Sequence, residues 1–266
     1  MKPGSFLTLV IIAPFTLCIS SGATLNFGAA SSYDNNFLEY TNPGDVTWNA
    51  SGNLRKGVAA SATTAIYNTT AINANVATTP GSGGTGVGTP NNNTFTDFVI
   101  QMDMSAPLGE SIGFIARANS DATVGYFGIF RLLSTGSADF RVWDSDSNPS
   151  TGALGASITG TSAFTVGAGS FAANTAYSFR MTVQDVGSNL LISGAIFSTA
   201  TGLQIGNTLS YTDTTSPLAS GQAGIRLASS SATANTFDNF SINAIPEPGA
   251  ALLGLFGLTF LLRRNR

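Results

Sequence analysis

From position 177 to 184 the chain alternates without a fault. Tyr177, Phe179, Met181 and Val183 fall on one side and Ser178, Arg180, Thr182 and Gln184 on the other, the period-two pattern of a strand with one buried face. Runs of similar length, bounded by Gly, Asn, Asp, Ser and Pro, predict further strands over 95–104, 111–117, 125–132, 138–143, 189–197, 223–228 and 236–243. Less regular runs at 37–40, 46–49 and 57–60 extend the series toward the N-terminus. No stretch between them has the period or length of an amphipathic helix. Many short strands without intervening helices predict an all-β protein, an antiparallel sandwich or barrel. Residues 68–93, almost entirely Thr, Asn, Ala and Gly, carry too little apolar surface to offset ordering and predict a long mobile loop inside the domain.

The two ends break this pattern. Met1-Lys2 supplies a positive start, residues 6–19 an apolar run interrupted by Pro14, and Ser21-Gly22-Ala23 the small residues before a cut between Ala23 and Thr24. Residues 1–23 therefore read as a secretory signal peptide. Cys18 lies inside it, and Leu17 stands where a lipoprotein needs a small residue, so lipidation is rejected. The processed chain holds no cysteine, which excludes disulfides and thiolate chemistry. At the other end, residues 249–262 carry no charge. As a helix they rise about 21 Å, short of the roughly 30 Å hydrocarbon core. Arg263, Arg264 and Arg266 can snorkel to complete a marginal span and favour a cytoplasmic C-terminus.

Pro246-Glu247-Pro248, the short apolar helix 249–262 and the terminal Arg263, Arg264 and Arg266 together resemble the PEP-CTERM sorting signal of Gram-negative bacteria, covering residues 246–266. The resemblance implies Sec-dependent export, transient anchoring in the inner membrane, recognition of the Pro-Glu-Pro element by an exosortase, and removal of the tail. The product is then expected at the cell surface or in the extracellular polysaccharide matrix. A plain C-terminal anchor is the alternative for the same residues.

Processing changes the charge. The whole chain has 11 Lys and Arg against 14 Asp and Glu, a formal −3. Without Lys2, Glu247 and the three terminal arginines, 7 basic and 13 acidic residues remain in 24–245, about −6. Nucleic acid, which needs a basic footprint, is excluded as a partner. The remaining length suits one large β-domain with a single core.

Tyr33-Asp34-Asn35-Asn36-Phe37, Gly52-Asn53-Leu54-Arg55, Ile112-Gly113-Phe114-Ile115-Ala116-Arg117 and Phe237-Asp238-Asn239-Phe240-Ser241-Ile242 resemble the concanavalin-like jelly roll, which includes laminin-G-like domains, lectins, carbohydrate-binding modules and glucanases. The resemblance implies a jelly-roll β-sandwich whose last strand returns beside the first. In its binding modules a structural calcium is often held where those strands meet, which nominates Asp34 and Asp238. Turn capping and ladder-end hydrogen bonding by the same aspartates is the competing account.

Chemistry is sparse. No histidine is present, which removes Ser-His-Asp and Cys-His arrangements and the usual zinc sites. Glu39 and Glu110 are the only glutamates in 24–245 and lie far apart, whereas glucanases of the resembled family pair two Glu on one strand. Asp144-Ser145-Asp146-Ser147-Asn148 opens like a calcium loop, but Pro149 and Gly155 occupy positions that an EF-hand gives to Gly and Glu. Alternation over 138–143 points Ala138, Phe140 and Val142 inward and leaves Asp139, Arg141 and Trp143 on the outer face. An indole beside charged groups suits a sugar, by stacking and by hydroxyl hydrogen bonds. Arg117, Arg131, Arg180 and Arg226 are candidates for the same polar face, with cross-strand ion pairs to Asp103, Asp139 or Asp185 as the competing role. The resulting expectation is a non-catalytic structural or adhesive protein, with polysaccharide as the expected ligand if it binds one. The alternative is a secreted glycan-active enzyme with an atypical site, and an inert matrix filler is a third reading.

Overall fold

The computed structural model describes residues 23–28, 33, 35–41, 46–48, 54–56, 62–67, 94–119, 124–145, 162–163, 169–228 and 235–245. The predicted loop 68–93, the run 57–60, the leader before Ala23 and the tail from Pro246 lie outside them, as does Asp34.

Every described regular element of more than one residue is a strand. In order they are β1 (Ala23–Leu25), β2 (Phe37–Thr41), β3 (Val46–Trp48), β4 (Leu54–Lys56), β5 (Ala62–Tyr67), β6 (Phe98–Ala106), β7 (Ser111–Ala118) and β8 (Gly125–Leu132). Then come β9 (Ala138–Ser145), β10 (Ser162–Ala163), β11 (Thr175–Val186), β12 (Asn189–Ser198), β13 (Gln204–Asp213), β14 (Gln222–Ala228) and β15 (Thr236–Ala244). They form two antiparallel sheets. One runs β13-β12-β11-β6-β15-β4-β3 with β1 also on β15; the other runs β10-β9-β8-β7-β14-β5-β2. The last strand does return beside the first, with Ala23 opposite Ile242 and Leu25 opposite Phe240. The predicted cleavage point between Ala23 and Thr24 therefore falls within β1.

The core forms where the inward residues of the two sheets meet. Ile100, Met102, Met104, Phe179, Met181 and Ile192 from one sheet pack with Phe114, Phe130, Phe140, Val142, Ile225 and Leu227 from the other. Glycines at the inner face make room for the rings. A Cβ on Gly128 would overlap Met181 Sδ, and one on Gly194 would sit 2.8 Å from Phe140, which packs against Phe130 at 4.5 Å between centroids. At one end Phe27, Tyr33, Phe37, Tyr67 and Phe240 make an aromatic cluster, with Tyr33 stacked on Phe37 at 5.0 Å.

The outer faces differ, and this decides where a ligand can reach. In the eight-stranded sheet β6 alternates strictly between buried and half-buried residues, so its outer face meets solvent. In the seven-stranded sheet β7 is buried at every position after Ser111, and β8 at every position except Arg131. Those two central strands are covered on both faces, apart from Arg131.

Candidate functional site

On the open face, register brings four strands into one row. Asp238 of β15 lies opposite Asp103 of β6, Asp103 opposite Ser178 of β11, and Ser178 opposite Phe197 of β12. The next row sets Gln101 beside Arg180. Gln101, Asp103, Ser178, Arg180, Phe197 and Thr199 line a depression of about 240 Å³, closed at one end by the β12–β13 turn at Gly202. Gly202 adopts φ 70° there and donates its N–H to Ser198 O at 2.8 Å.

The side chains in this groove are held but not used up. Arg180 Nε donates to Gln101 Oε1 at 2.9 Å, and its guanidinium lies 4.1 Å from the centroid of the Phe197 ring, a cation–π contact. Its two terminal nitrogens have no partner among the described residues. Ser178 is 6% exposed and its Oγ has no hydrogen-bond partner among the described residues. A buried hydroxyl without a partner is rare in a folded protein and costs stability unless something satisfies it. Asp103 accepts from Asn239 Nδ2 at 2.8 Å through Oδ2, leaving Oδ1 available. Thr199 Oγ1, by contrast, is tied to Ala176 O. The groove therefore offers an acceptor, a hydroxyl and a forked cation within one cleft. Such a set can bind hydroxyls and an oxyanion.

Asp238 sits at a bulge where register slips between Asp238 and Ser241 and Asn239 takes φ 53°. Its Oδ1 accepts the N–H of Phe27 at 3.0 Å and of Asn239 at 2.8 Å, tying the exit of β1 to β15. That is the ladder-end role. Among the described residues no group of three or more His, Cys, Asp or Glu side chains could hold a metal ion.

The predicted face on β9 is differently disposed. Asp139, Arg141 and Trp143 do share the outer side, but Asp139 is buried and both of its oxygens meet Arg131, its cross-strand partner. Arg141 Nε lies 3.8 Å from Asp139 Oδ2. The hydrogen bond to Asp139 raises the proton affinity of Arg131, with the charge of the same carboxylate adding to it against the cost of burial. Trp143 is half-buried and packs on Ile66, Ile115, Ala118 and Phe127. Asp139 thus serves as the counter-ion of two arginines. Arg226 is on this sheet as well, and burial lowers its pKa. Arg117 lies on no polar face; it is buried between the sheets. Glu110 is also buried, accepting from Asn235 Nδ2 at 3.1 Å. Trp48 and Glu39 lie on β3 and β2, with side chains outside the described set.

Ser178 and Arg180 were visible in the sequence as the polar half of the cleanest alternation, and Gln101 and Asp103 follow the same period on β6. What was missing was register, which sets these pairs side by side.

No protein-family model matches the sequence and no curated relative does. Among solved structures the chain is similar to carbohydrate binding module CBM66 from Bacillus subtilis, with 11% identity, TM-score 0.44, and 79% of this chain and 96% of that one covered. It is similar to lectin II from Ulex europaeus at 11% identity and TM-score 0.45, covering 84% and 97% of the two chains. Peanut lectin with a 9mer peptide gives 12% identity and TM-score 0.42, covering 85% and 99%. The two-sheet architecture rests on the strand pairings. Among the described residues no helix is long and apolar enough to cross a membrane.

Proposed function

We propose that this chain is an exported, non-catalytic saccharide-binding protein of the bacterial surface or extracellular polysaccharide matrix. In this reading the sandwich is a concanavalin-like jelly roll and an exosortase removes the tail. The observation that carries the binding role is the open groove on the eight-stranded sheet, where, among the described residues, Ser178 Oγ is buried without a partner and the terminal nitrogens of Arg180 have none. Saccharides present dense hydroxyls at strand-like spacing, and a shallow polar cleft on a rigid sheet suits them better than it suits an apolar ligand. Export and sorting rest on the leader and on Pro246, Glu247, Pro248 and the arginine cluster in the sequence.

The test is a glycan array with the folded full chain, in calcium and in chelator. Saturable binding supports the reading, and its loss in chelator would bring calcium at Asp238 into the account. A folded chain that binds no glycan overturns it in favour of a matrix filler.

A glycan-active enzyme is the second reading, because Asp103 and Asp238 face each other across β6 and β15. Against it, Asp238 Oδ1 is committed to two backbone amides. Release of reducing sugar that disappears in Asp103→Asn would favour the enzyme.

A further inference from the structure

We infer that the groove is selective for acidic saccharides, with Arg180 as the receptor for a uronate carboxylate. This inference rests on the saccharide-binding reading and adds the chemical class of the ligand.

Three observations converge on it. First, Arg180 has no carboxylate within ion-pairing distance among the described residues, although Asp103 lines the same cleft. Arg117, Arg131 and Arg141 are each paired with an acid, and Arg226, which like Arg180 has no ion pair among the described residues, is largely buried on the other sheet. Second, Arg180 is oriented. Gln101 Oε1 fixes Nε from one side and the Phe197 ring supports the guanidinium plane. With Nε spent, the two terminal nitrogens form the remaining edge, which matches the two oxygens of a carboxylate. Third, Ser178 Oγ is buried in the same cleft with no partner among the described residues, and Ser178 stands opposite Asp103 in the ladder.

These groups divide the ligand between them. The cation takes a carboxylate, while Ser178 and Asp103 Oδ1 take hydroxyls. Asp103 itself disfavours a second anion at its end of the groove, so one carboxylate beside neutral hydroxyls fits better than a uniformly charged surface. A uronic acid residue has that layout. Phe197 contributes chiefly as the platform under Arg180, because that face of its ring is already taken.

The test compares an oligosaccharide carrying a single uronate residue with its methyl ester on the same folded full chain by titration calorimetry, with a neutral glucan oligosaccharide alongside. The acid is expected to bind about tenfold to a hundredfold more tightly than the ester, the range for hydrogen bonds to a charged partner. Arg180→Gln is expected to bring the acid down to the ester's affinity, and Arg180→Lys to recover only part, because it restores charge without the fork. Equal binding of acid and ester would overturn the inference while leaving saccharide binding intact. Binding of none of the three would overturn both. An acid preference that survives in folded Arg180→Gln would remove Arg180 from the role. The acid–ester comparison needs no variant, so a misfolding substitution does not block the test.

Discussion

Arg117 of β7 and Asp185 of β11 belong to opposite sheets, and their charged groups meet at 2.9 Å. The same guanidinium, fully buried, also reaches Asp97 at 3.2 Å and donates to the carbonyls of Thr96 and Leu218. Asp97 Oδ1 in turn accepts the Asp185 amide at 2.9 Å. One side chain thus fastens the end of the sandwich by satisfying the loop before β6, the end of β11 and the segment before β14. Arg117 itself adopts φ 49°, a left-handed conformation uncommon for a non-glycine residue, held by these contacts.

Arg117→Met should therefore cost about 3 kcal/mol, since it leaves the mostly buried Asp97 carboxylate and two carbonyls without their donor, while the half-exposed Asp185 turns to water. Urea unfolding measures it. Arg117→Lys should recover little, because an ammonium cannot span the same acceptors. A loss below about 0.5 kcal/mol in the Met variant would show that the end of the sandwich does not depend on this residue.

Arg131 and Asp139 give a second, independent prediction. Removing the half-exposed Arg131 leaves a carboxylate that is 1% exposed with only Arg141, 3.8 Å away, as counter-ion. Arg131→Met should destabilise by about 2 kcal/mol, and the double variant Arg131→Met/Asp139→Leu by clearly less, because the buried charge goes too. Equal losses in the single and double variants would refute the assignment of Asp139 as a buried counter-ion.

Tyr67 sets an alkaline limit. Burial pushes its phenol above the ordinary 10.0. The folded state holds that proton more tightly than the unfolded state does. Stability from this group is complete below about pH 10 and falls as pH rises from there through the raised folded value. Tyr67→Phe should flatten part of that loss in thermal melts taken between pH 9 and 11. An unchanged alkaline slope would assign the loss to other groups.

The tail carries a prediction about processing. If Pro246-Glu247-Pro248 is the recognised element, Glu247→Ala should leave the chain membrane-associated at its full 27.2 kDa less the leader. The unsubstituted chain should be released shortened by about the length of residues 246–266. Mass spectrometry of the secreted fraction distinguishes the two, and normal release of the variant would contradict recognition at Glu247.

The strands were legible wherever one face is solvated or the run is apolar. β8 over Gly125–Leu132 matches its predicted limits, and β7, β9, β11, β12, β14 and β15 differ by one or two residues at their ends. β6 starts at Phe98, three residues late, because Phe95 makes only an isolated bridge to Gly221. β13 was not predicted. It is an edge strand with mostly exposed residues, so Gln204-Ile205-Gly206-Asn207-Thr208 carries no apolar rhythm to read. β4 (Leu54–Lys56) and β5 (Ala62–Tyr67) were not predicted, because Leu54-Arg55-Lys56 is too short and Ala62-Thr63-Thr64 too weakly apolar to show an alternation, while the expected run 57–60 lies outside the described residues.

The site was half legible for a different reason. Alternation tells which residues share a face but not whether that face is covered. Asp139, Arg141 and Trp143 do lie together, yet Asp139 is buried and Trp143 is packed on Phe127. Ser178 and Arg180 follow the same rule on the sheet that stays open. Their importance comes from β6 and β12 on either side; β12 is the other arm of a hairpin, but the pairing with β6 spans more than 70 residues of chain and leaves no local trace.

The most direct measurement is amide-shift mapping of the full chain titrated with an oligosaccharide that it binds. The account predicts the largest changes at Asp103, Ser178, Arg180, Phe197 and the Gly202 turn, with Phe127, Arg141 and Trp143 nearly still. Changes centred on Trp143, with the eight-stranded sheet unaffected, would contradict it.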